Sequence, residues 1–261
     1  MHRTRIAIGW FAVGCLLPAN GAFANGFFQS LSGDVQAAQG AGAPASVSAG
    51  QRFEAGATLR TGAGGRAVLR LDDGHRVILY ENTEFRLAEY RFDRDRPGED
   101  SMRLQLLKGG LRSVTGLIGQ RSRGSVTLAL PQASIGLMGT DFMVVQIDST
   151  YLSVLHGAVA IGNAAGSATF ASPSLAVVAQ SDRLAAPLAA SSLPPAVAAA
   201  FAALRGVAVG PGIEPRSGGA SPGAFGMGPG ANLAASAAAL LLGAAAVAAA
   251  SSTQTSTTSH H

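Results

Sequence analysis

Between Gly33 and about Val178 the chain alternates apolar and polar residues with a period of two, and turn-forming residues interrupt it about every eight to twelve positions. Arg66–Leu71 places its apolar residues on one face and its two arginines on the other. Asp72–Gly74 is typical of a tight turn and His75–Tyr80 returns, so these segments predict a β-hairpin. No helix of three turns is predicted in this range.

Other short apolar runs separated by turn residues predict more strands. The predicted strands are Thr83–Phe92, Met102–Leu107, Gly110–Gly116, Ser125–Leu130, Phe142–Asp148, Tyr151–Gly157 and Ala158–Asn163. Arg94–Asp100 is predicted as a solvated loop. The expected fold is all-β, either a compact sandwich or a roll- or solenoid-like stack of short strands over residues 33–178.

After Ser149 only five residues carry charge, and Ala, Gly, Pro and Ser dominate. This composition favours one folded domain followed by an Ala/Gly/Pro-rich tail with one or two helices. Within a low-complexity linker, residues 185–230, the prolines before Ala196 and the glycine after Arg205 predict a short helix over Pro195–Arg205.

Residues 233–250 are eighteen uncharged, Ala-rich positions, followed by a polar tail over 251–261. Eighteen helical residues span about 27 Å, close to the thickness of a hydrocarbon core. Leu233–Ala250 is therefore predicted either to associate with a membrane or a second helix, or to lie in a soluble tail.

Residues 1–24 are predicted to be a signal peptide. Arg3 and Arg5 precede an apolar segment, and Ala22–Ala24 supplies the small residues of a cleavage site that would leave Asn25 first. Lipidation at Cys15 is the alternative. Either reading predicts export from the cytoplasm to the periplasm or cell envelope.

The charge pattern argues against a nucleic-acid partner. The net charge is +4, and the arginines are interleaved with acids, as in Arg91–Asp100, so no basic stripe forms.

No residue pattern indicates catalysis. His75 and His156 are isolated at strand ends and are interpreted as surface or half-buried structural residues. Asp141 has no base or nucleophile at a diagnostic spacing. His260–His261 on a polar tail would make a poor metal site. We therefore expect no catalytic, cofactor-binding or metal-binding residue.

Four motifs, in order along the chain, resemble the FecR domain, the periplasmic module of ferric-citrate-type regulators. They lie in Ala55–Tyr80, Leu106–Gly116, Pro131–Phe142 and Val154–Ile161. Met138 stands where the family pattern has an arginine. The residues that carry the resemblance, all interpreted as structural, are Gly56, Thr61, Gly62, Asp73, Gly74, Gly109, Pro131, Gly136, Gly139, Thr140, Phe142 and Gly157.

Within the third motif, Gly139-Thr140-Asp141-Phe142 is interpreted as a structural corner. Gly136 and Gly139 would permit backbone shapes that a side chain forbids. Thr140 or Asp141 would bond a nearby backbone group. Phe142 would then begin a strand that enters the core.

The resemblance implies a role in signalling across the envelope. Regulators of this family carry a cytoplasmic segment that binds a sigma factor, and their periplasmic domain senses an outer-membrane transporter. Only Met1–Arg5 precedes the apolar leader here, so we expect the sensing part without the sigma-regulating segment.

The leading hypothesis is a non-enzymatic exported protein that senses or scaffolds in the envelope by binding another envelope protein, an outer-membrane receptor being one candidate. The alternatives are a cell-wall or glycan-binding module and an accessory regulator of iron-uptake signalling. The few aromatic residues weigh against glycan binding, since Trp10 is the only tryptophan and lies in the leader.

Overall fold

The computed structural model describes residues 25–122 and 124–209. This part of the chain is mostly strand, with two α-helices, α1 (Leu117–Arg121) and α2 (Pro195–Arg205). Single 3-10 turns lie at Pro97–Glu99 and Ala190–Ser192. The strands are β1 (Gly26–Ser32), β2 (Val35–Gln39), β3 (Ala45–Ser46), β4 (Arg52–Phe53), β5 (Ala57–Thr61), β6 (Arg66–Leu71), β7 (Arg76–Leu79), β8 (Glu84–Arg91), β9 (Ser101–Val114), β10 (Val126–Ala129), β11 (Ser134–Gln146), β12 (Thr150–Asn163), β13 (Gly166–Ala171), β14 (Ser174–Val178) and β15 (Ala186–Pro187).

The strand pairings build two β-layers. The first layer runs β3-β2-β5-β8, then the first half of β9, β10, the first half of β11, the second half of β12, and β13. The second layer runs β4-β1-β6-β7, then the second half of β9, the second half of β11, the first half of β12, β14 and β15. The predicted all-β fold, a sandwich or roll of layers, is confirmed.

Three long strands, β9, β11 and β12, each contribute one half to each layer. Each contains a glycine with positive φ between its halves: Gly109 at 86°, Gly139 at 62° and Gly157 at 78°. A residue with a Cβ rarely adopts this conformation, so glycine lets the strand change direction without ending.

The sequence analysis predicted six of these half-strands as separate elements or as parts of loops. That prediction was wrong in its boundaries. Met102–Leu107 and Gly110–Gly116 lie mainly in β9, and Tyr151–Gly157 and Ala158–Asn163 lie in β12. Phe142 does not begin a strand, because β11 begins at Ser134. A positive-φ glycine looks like a turn in sequence but here bends a continuous strand.

The main core lies between the two layers. Apolar side chains with no or almost no exposed surface come from both of them. Leu59, Leu104 and Ile135 belong to the first layer, and Leu69 and Phe142 to the second. Alternation along each strand places these side chains inward, as the period-two pattern predicts.

A smaller apolar cluster lies on the outer face of the second layer, under α2. Val197, Ala200, Phe201 and Leu204 of the helix pack there against strand residues, which include Met143 and others in the second layer. The predicted helix bounds are confirmed. The sequence placed this helix in a linker, whereas the structure packs it on the sheet because its i, i+3, i+4 and i+7 positions are apolar.

The sheet also extends past both ends of the predicted domain. β1 lies before Gly33 and pairs with β6, and β15 lies after Val178 and pairs with β14. The predicted leader, the last part of the linker (residues 210–230), Leu233–Ala250 and the polar tail lie outside the described residues. Within residues 25–122 and 124–209, no helix has both the length and the apolar character needed to cross a bilayer.

Asp73 and His75 anchor the predicted hairpin from inside. The Asp73 carboxylate accepts hydrogen bonds from the backbone N–H of His75 at 3.1 Å, from the Tyr90 hydroxyl at 3.3 Å and from the N–H of Ile118 in α1 at 3.3 Å. Burial raises the pKa of Tyr90, which keeps its hydroxyl protonated. Asp73 therefore holds the turn between β6 and β7 to α1.

His75 is fully buried, which corrects its placement at the surface or half-buried. Its Nε2 lies 2.9 Å from the Ser113 hydroxyl, and no hydrogen-bond partner reaches its Nδ1 among the described residues. Burial lowers the pKa of His75, and the nearby Asp73 carboxylate opposes this shift only in part. His75 is therefore neutral in the folded protein.

This burial predicts an acid-sensitive fold. Unfolded His75 binds a proton below about pH 6.5, whereas the folded residue does so only at lower pH. The free energy of unfolding should therefore fall as pH drops below about 6.5, by up to about 1.4 kcal/mol per pH unit from this residue. Urea unfolding at several pH values measures this slope. His75→Gln should reduce it, and an equal slope in both proteins would contradict the prediction.

Candidate functional site

The candidate site lies where β11 and β12 bend, on the outer face of the second layer and beside the C-terminus of α2. Asp141 pairs across the sheet with Val114 of β9 and with His156 of β12. Arg112 lies opposite Met143 on the same face. The register of three neighbouring strands therefore brings Arg112, Asp141 and His156 to one place.

Arg112 and Asp141 form a two-pronged ion pair. Arg112 Nε donates to Asp141 Oδ1 at 2.9 Å, and its Nη2 donates to Oδ2 at 2.6 Å. The two side chains are only 9% and 13% exposed. The parallel geometry satisfies both carboxylate oxygens and fixes the plane of the guanidinium.

The same arginine reaches the end of α2. Its Nη1 donates to the carbonyl oxygens of Arg205 and Val207, each at 3.4 Å. Carbonyl groups at a helix C-terminus lack intrahelical donors and carry partial negative charge, so a cation there stabilises the helix. Asp141 thus positions an arginine that holds α2 on the sheet.

An open groove of about 620 Å³ adjoins this ion pair. Ser153 and Leu155 of β12 line it together with Leu188, and the exposed residues His156 and Arg205 also line it. The groove combines apolar surface with groups of both charges, which suits recognition of a polypeptide.

Ser174 lines the groove, but its side chain lies on the inner face of β14. Ser174 pairs with Val154 and shares a face with Ala176 and Val178, and these three apolar residues belong to the core between the layers. Its Oγ has almost no exposed surface and no hydrogen-bond partner among the described residues. The hydroxyl is therefore an unsatisfied group of the core, and it is not a contact for a molecule in the groove.

The corner itself is held by Thr115, the residue that follows β9. Its hydroxyl donates to the backbone carbonyl of Thr140 at 2.8 Å and accepts from the Thr140 N–H at 3.0 Å. We expected the side chain of Thr140 or Asp141 to bond the backbone. Instead the Thr115 hydroxyl makes these backbone hydrogen bonds, and the Asp141 carboxylate pairs with Arg112.

Gly139 and Gly157 allow the bends in β11 and β12 to meet. A Cβ on Gly157 would lie 2.8 Å from the Gly139 carbonyl oxygen, so a side chain there would clash. A Cβ on Gly139 would meet nothing within 4 Å, which leaves only its positive φ as the constraint. Gly136, expected to share this role, has neither a positive φ nor a close neighbour.

Because only the positive φ constrains Gly139, we expect the loss of stability to depend on which residue replaces it. Gly139→Val should lower the free energy of unfolding by about 1–3 kcal/mol, because a β-branched residue is strained at positive φ. Gly139→Asn should cost clearly less, since asparagine tolerates the left-handed region. Urea denaturation of the full chain compares them. Equal stability of Gly139→Val and the parent would show that the bend does not require glycine.

The remaining motif residues lie away from the groove. Gly56 and Gly74 take positive φ at turns. Thr61 donates to the Tyr80 carbonyl at 2.5 Å, and the Gly62 N–H donates to Asp34. Pro131 is exposed between β10 and β11. These residues shape the domain and do not join the candidate site.

Sequence reasoning missed Arg112, Ser153, Ser174 and Arg205. Arg112 lies 29 positions from Asp141, and nothing in their local patterns links them. An arginine at an apolar position of a strand is a weak signal of a buried ion pair. No three His, Cys, Asp or Glu side chains cluster as metal ligands in the described ranges.

Comparison with known families agrees with the four motifs. Residues 57–160, about two fifths of the chain, match the family model described as FecR protein. The range runs from the start of β5 into β12 and contains Arg112 and Asp141. The resemblance to the FecR domain is confirmed over this range. The match supports a regulatory signalling role for this region rather than an enzymatic one.

Two solved structures are similar to this chain. Both are of a "putative anti-sigma factor" from Parabacteroides distasonis, at 17% and 15% sequence identity and a TM-score of 0.41. Each comparison covers 50% of this chain and 58% of the other, so this chain spans little more than half the length of those structures. No curated protein matches the chain.

Proposed function

We propose that this chain is an exported, non-enzymatic regulatory protein of the cell envelope that binds another envelope protein in the groove beside Asp141. The groove is the observation that carries the proposal, because it joins charged groups and apolar surface. The FecR match over residues 57–160 supports a signalling partner. An outer-membrane receptor is the partner class that the resemblance implies.

The groove is suited to binding and not to bond cleavage. Both oxygens of Asp141 are engaged by Arg112, so this carboxylate is not a free base. His156 and Arg205 remain exposed at the rim, where they can pair with acidic side chains of a partner. Apolar contacts with Leu155 and Leu188 would then add to the apolar surface that is buried on binding.

Site-specific crosslinking in intact cells tests this function. A photoreactive residue in place of His156 should give one discrete adduct with an envelope protein, and Arg205→Glu should weaken it. The same residue in place of the exposed Arg94, far from the groove, serves as the matched control. No adduct at position 156, or the same adduct at both positions, would contradict the proposal. An adduct with cell-wall glycan would instead favour the glycan-binding alternative.

Export is tested separately by fractionation and intact mass. The mature protein should begin at Asn25 and be found in the periplasmic or envelope fraction. A cytoplasmic chain that retains Met1–Ala24 would contradict export, and a lipid-modified Cys15 would establish the alternative cleavage.

A further inference from the structure

We propose that a second copy of this chain pairs with the open edge of β13, so that the first β-layer continues across a two-fold axis. Among the described residues β13 pairs only with β12, so it ends that layer on one side. The opposite end of the layer is β3. This inference concerns a different surface from the groove beside Asp141.

The other strands that end the two layers are protected against such pairing. β3, β4 and β15 are each two residues long, and β15 contains Pro187. Short strands, charges and proline are the usual means by which proteins prevent edge-to-edge association. β13 has none of these features, since Gly166–Ala171 is six residues long and contains neither a charged residue nor proline.

The register with β12 shows which backbone groups face outward. Ser172 N–H donates to the Gly157 carbonyl, and the ladder continues without a shift to Asn163 opposite Gly166. In an antiparallel ladder every second residue bonds to its neighbour strand, and the residues between them direct N–H and C=O away. Ser167, Thr169 and Ala171 are therefore the residues that face away from β12.

These outward groups have no partner within the described part of the chain. Within residues 25–122 and 124–209, Ser167, Thr169 and Ala171 make no hydrogen bond to another strand, loop or side chain on the open side. Their side chains are exposed, while that of Phe170 enters the core. The burial of Phe170 therefore holds β13 on the core, while the backbone N–H and C=O groups along its outer edge are available for pairing.

The arrangement of these groups favours a second copy as the occupant. Ser167, Thr169 and Ala171 are symmetric about Thr169, so an antiparallel copy can place Thr169 opposite Thr169 and Ser167 opposite Ala171. Every outward N–H and C=O of the three residues then finds a partner. A two-fold contact uses the same patch on both copies, as this register requires.

Charge does not oppose the contact. Gly166–Ala171 is uncharged, so self-pairing brings no like charges together. Asp182 and Arg183 follow Ser181 beside the β12–β13 turn, where Ala164 N–H donates to the Ser181 carbonyl and Asn163 contacts the Arg183 carbonyl. In the two-fold register this turn faces the Ala171 end of the second copy. The half-exposed Leu184, which lies against Gly166, adds apolar surface there.

Sedimentation of the full chain over a wide concentration range tests the inference. We expect a reversible monomer–dimer equilibrium, weak because a six-residue strand pair buries less than a standard interface. Thr169→Lys should raise the dissociation constant about tenfold or more, since it places two like charges opposite each other. Ser46→Lys on the two-residue strand β3 adds the same charge at the other end of the layer and should leave the constant unchanged.

A second variant tests the backbone register itself. Ser167→Pro removes an N–H that points away from β12, so the fold should keep its ladder while the dimer is lost. A chain that stays monomeric at high concentration would overturn the inference. So would a dimer that Thr169→Lys and Ser167→Pro leave unchanged, which would place the contact elsewhere in the chain. Circular dichroism confirms that each variant is folded.

Discussion

Asp141→Ala is expected to lower the free energy of unfolding by about 3–5 kcal/mol, because it leaves the nearly buried Arg112 guanidinium without its partner. In a domain of this size the melting temperature should fall by about 10 °C. The contact between Arg112 and the end of α2 should weaken as well, since Asp141 fixes the arginine. Thermal and urea unfolding of the full chain measure the loss.

Two controls separate this effect from a general loss of charge. Replacing both partners, Arg112→Met with Asp141→Leu, should cost much less than Asp141→Ala alone, because no buried charge is left unpaired. Asp72→Ala breaks the exposed ion pair between Arg52 and Asp72, whose side chains are 53% and 39% exposed. This substitution should cost less than about 1 kcal/mol of stability. If Asp141→Ala proved as mild as Asp72→Ala, the ion pair would not support the site.

Phe142→Ala is expected to cost about 3–5 kcal/mol. Its side chain has no exposed surface and lies in the core between the layers, so truncation removes buried apolar area and leaves a cavity. Phe142→Leu keeps most of the volume and should cost about half as much or less. Urea denaturation with an unchanged m-value would show that stability, and not the extent of unfolding, has changed. Near-parental stability of Phe142→Ala would contradict the core position.

Asp141→Ala and Phe142→Ala, the two substitutions with the largest expected effects, alter the same motif. Asp141 and Phe142 are consecutive, yet one side chain bonds Arg112 on the outer face and the other enters the core. The motif therefore supports the groove from outside and the two layers from inside. This position lets one corner shape both the groove and the core.

The sequence by itself determined the β-character of the domain, the Arg66–Tyr80 hairpin, the helix over Pro195–Arg205 and the resemblance to the FecR domain. These features follow from local rules. Period-two alternation specifies which face of a strand is buried, turn residues specify the hairpin, and flanking prolines and a glycine specify the helix. The hairpin and the helix can each be recognised within about fifteen residues, whereas the resemblance rests on four motifs spread over Ala55–Ile161.

Tertiary structure alone decided the rest. Whether Gly139 ends a strand or bends it depends on the strands beside it, and both outcomes have the same sequence pattern. The pairing of Arg112 with Asp141 depends on the register of β9 against β11. The buried position of His75 brings it against Ser113 of β9, and the docking of α2 depends on an apolar face assembled from five strands. These contacts join residues far apart in sequence, and local patterns carry no information about which distant residues will meet.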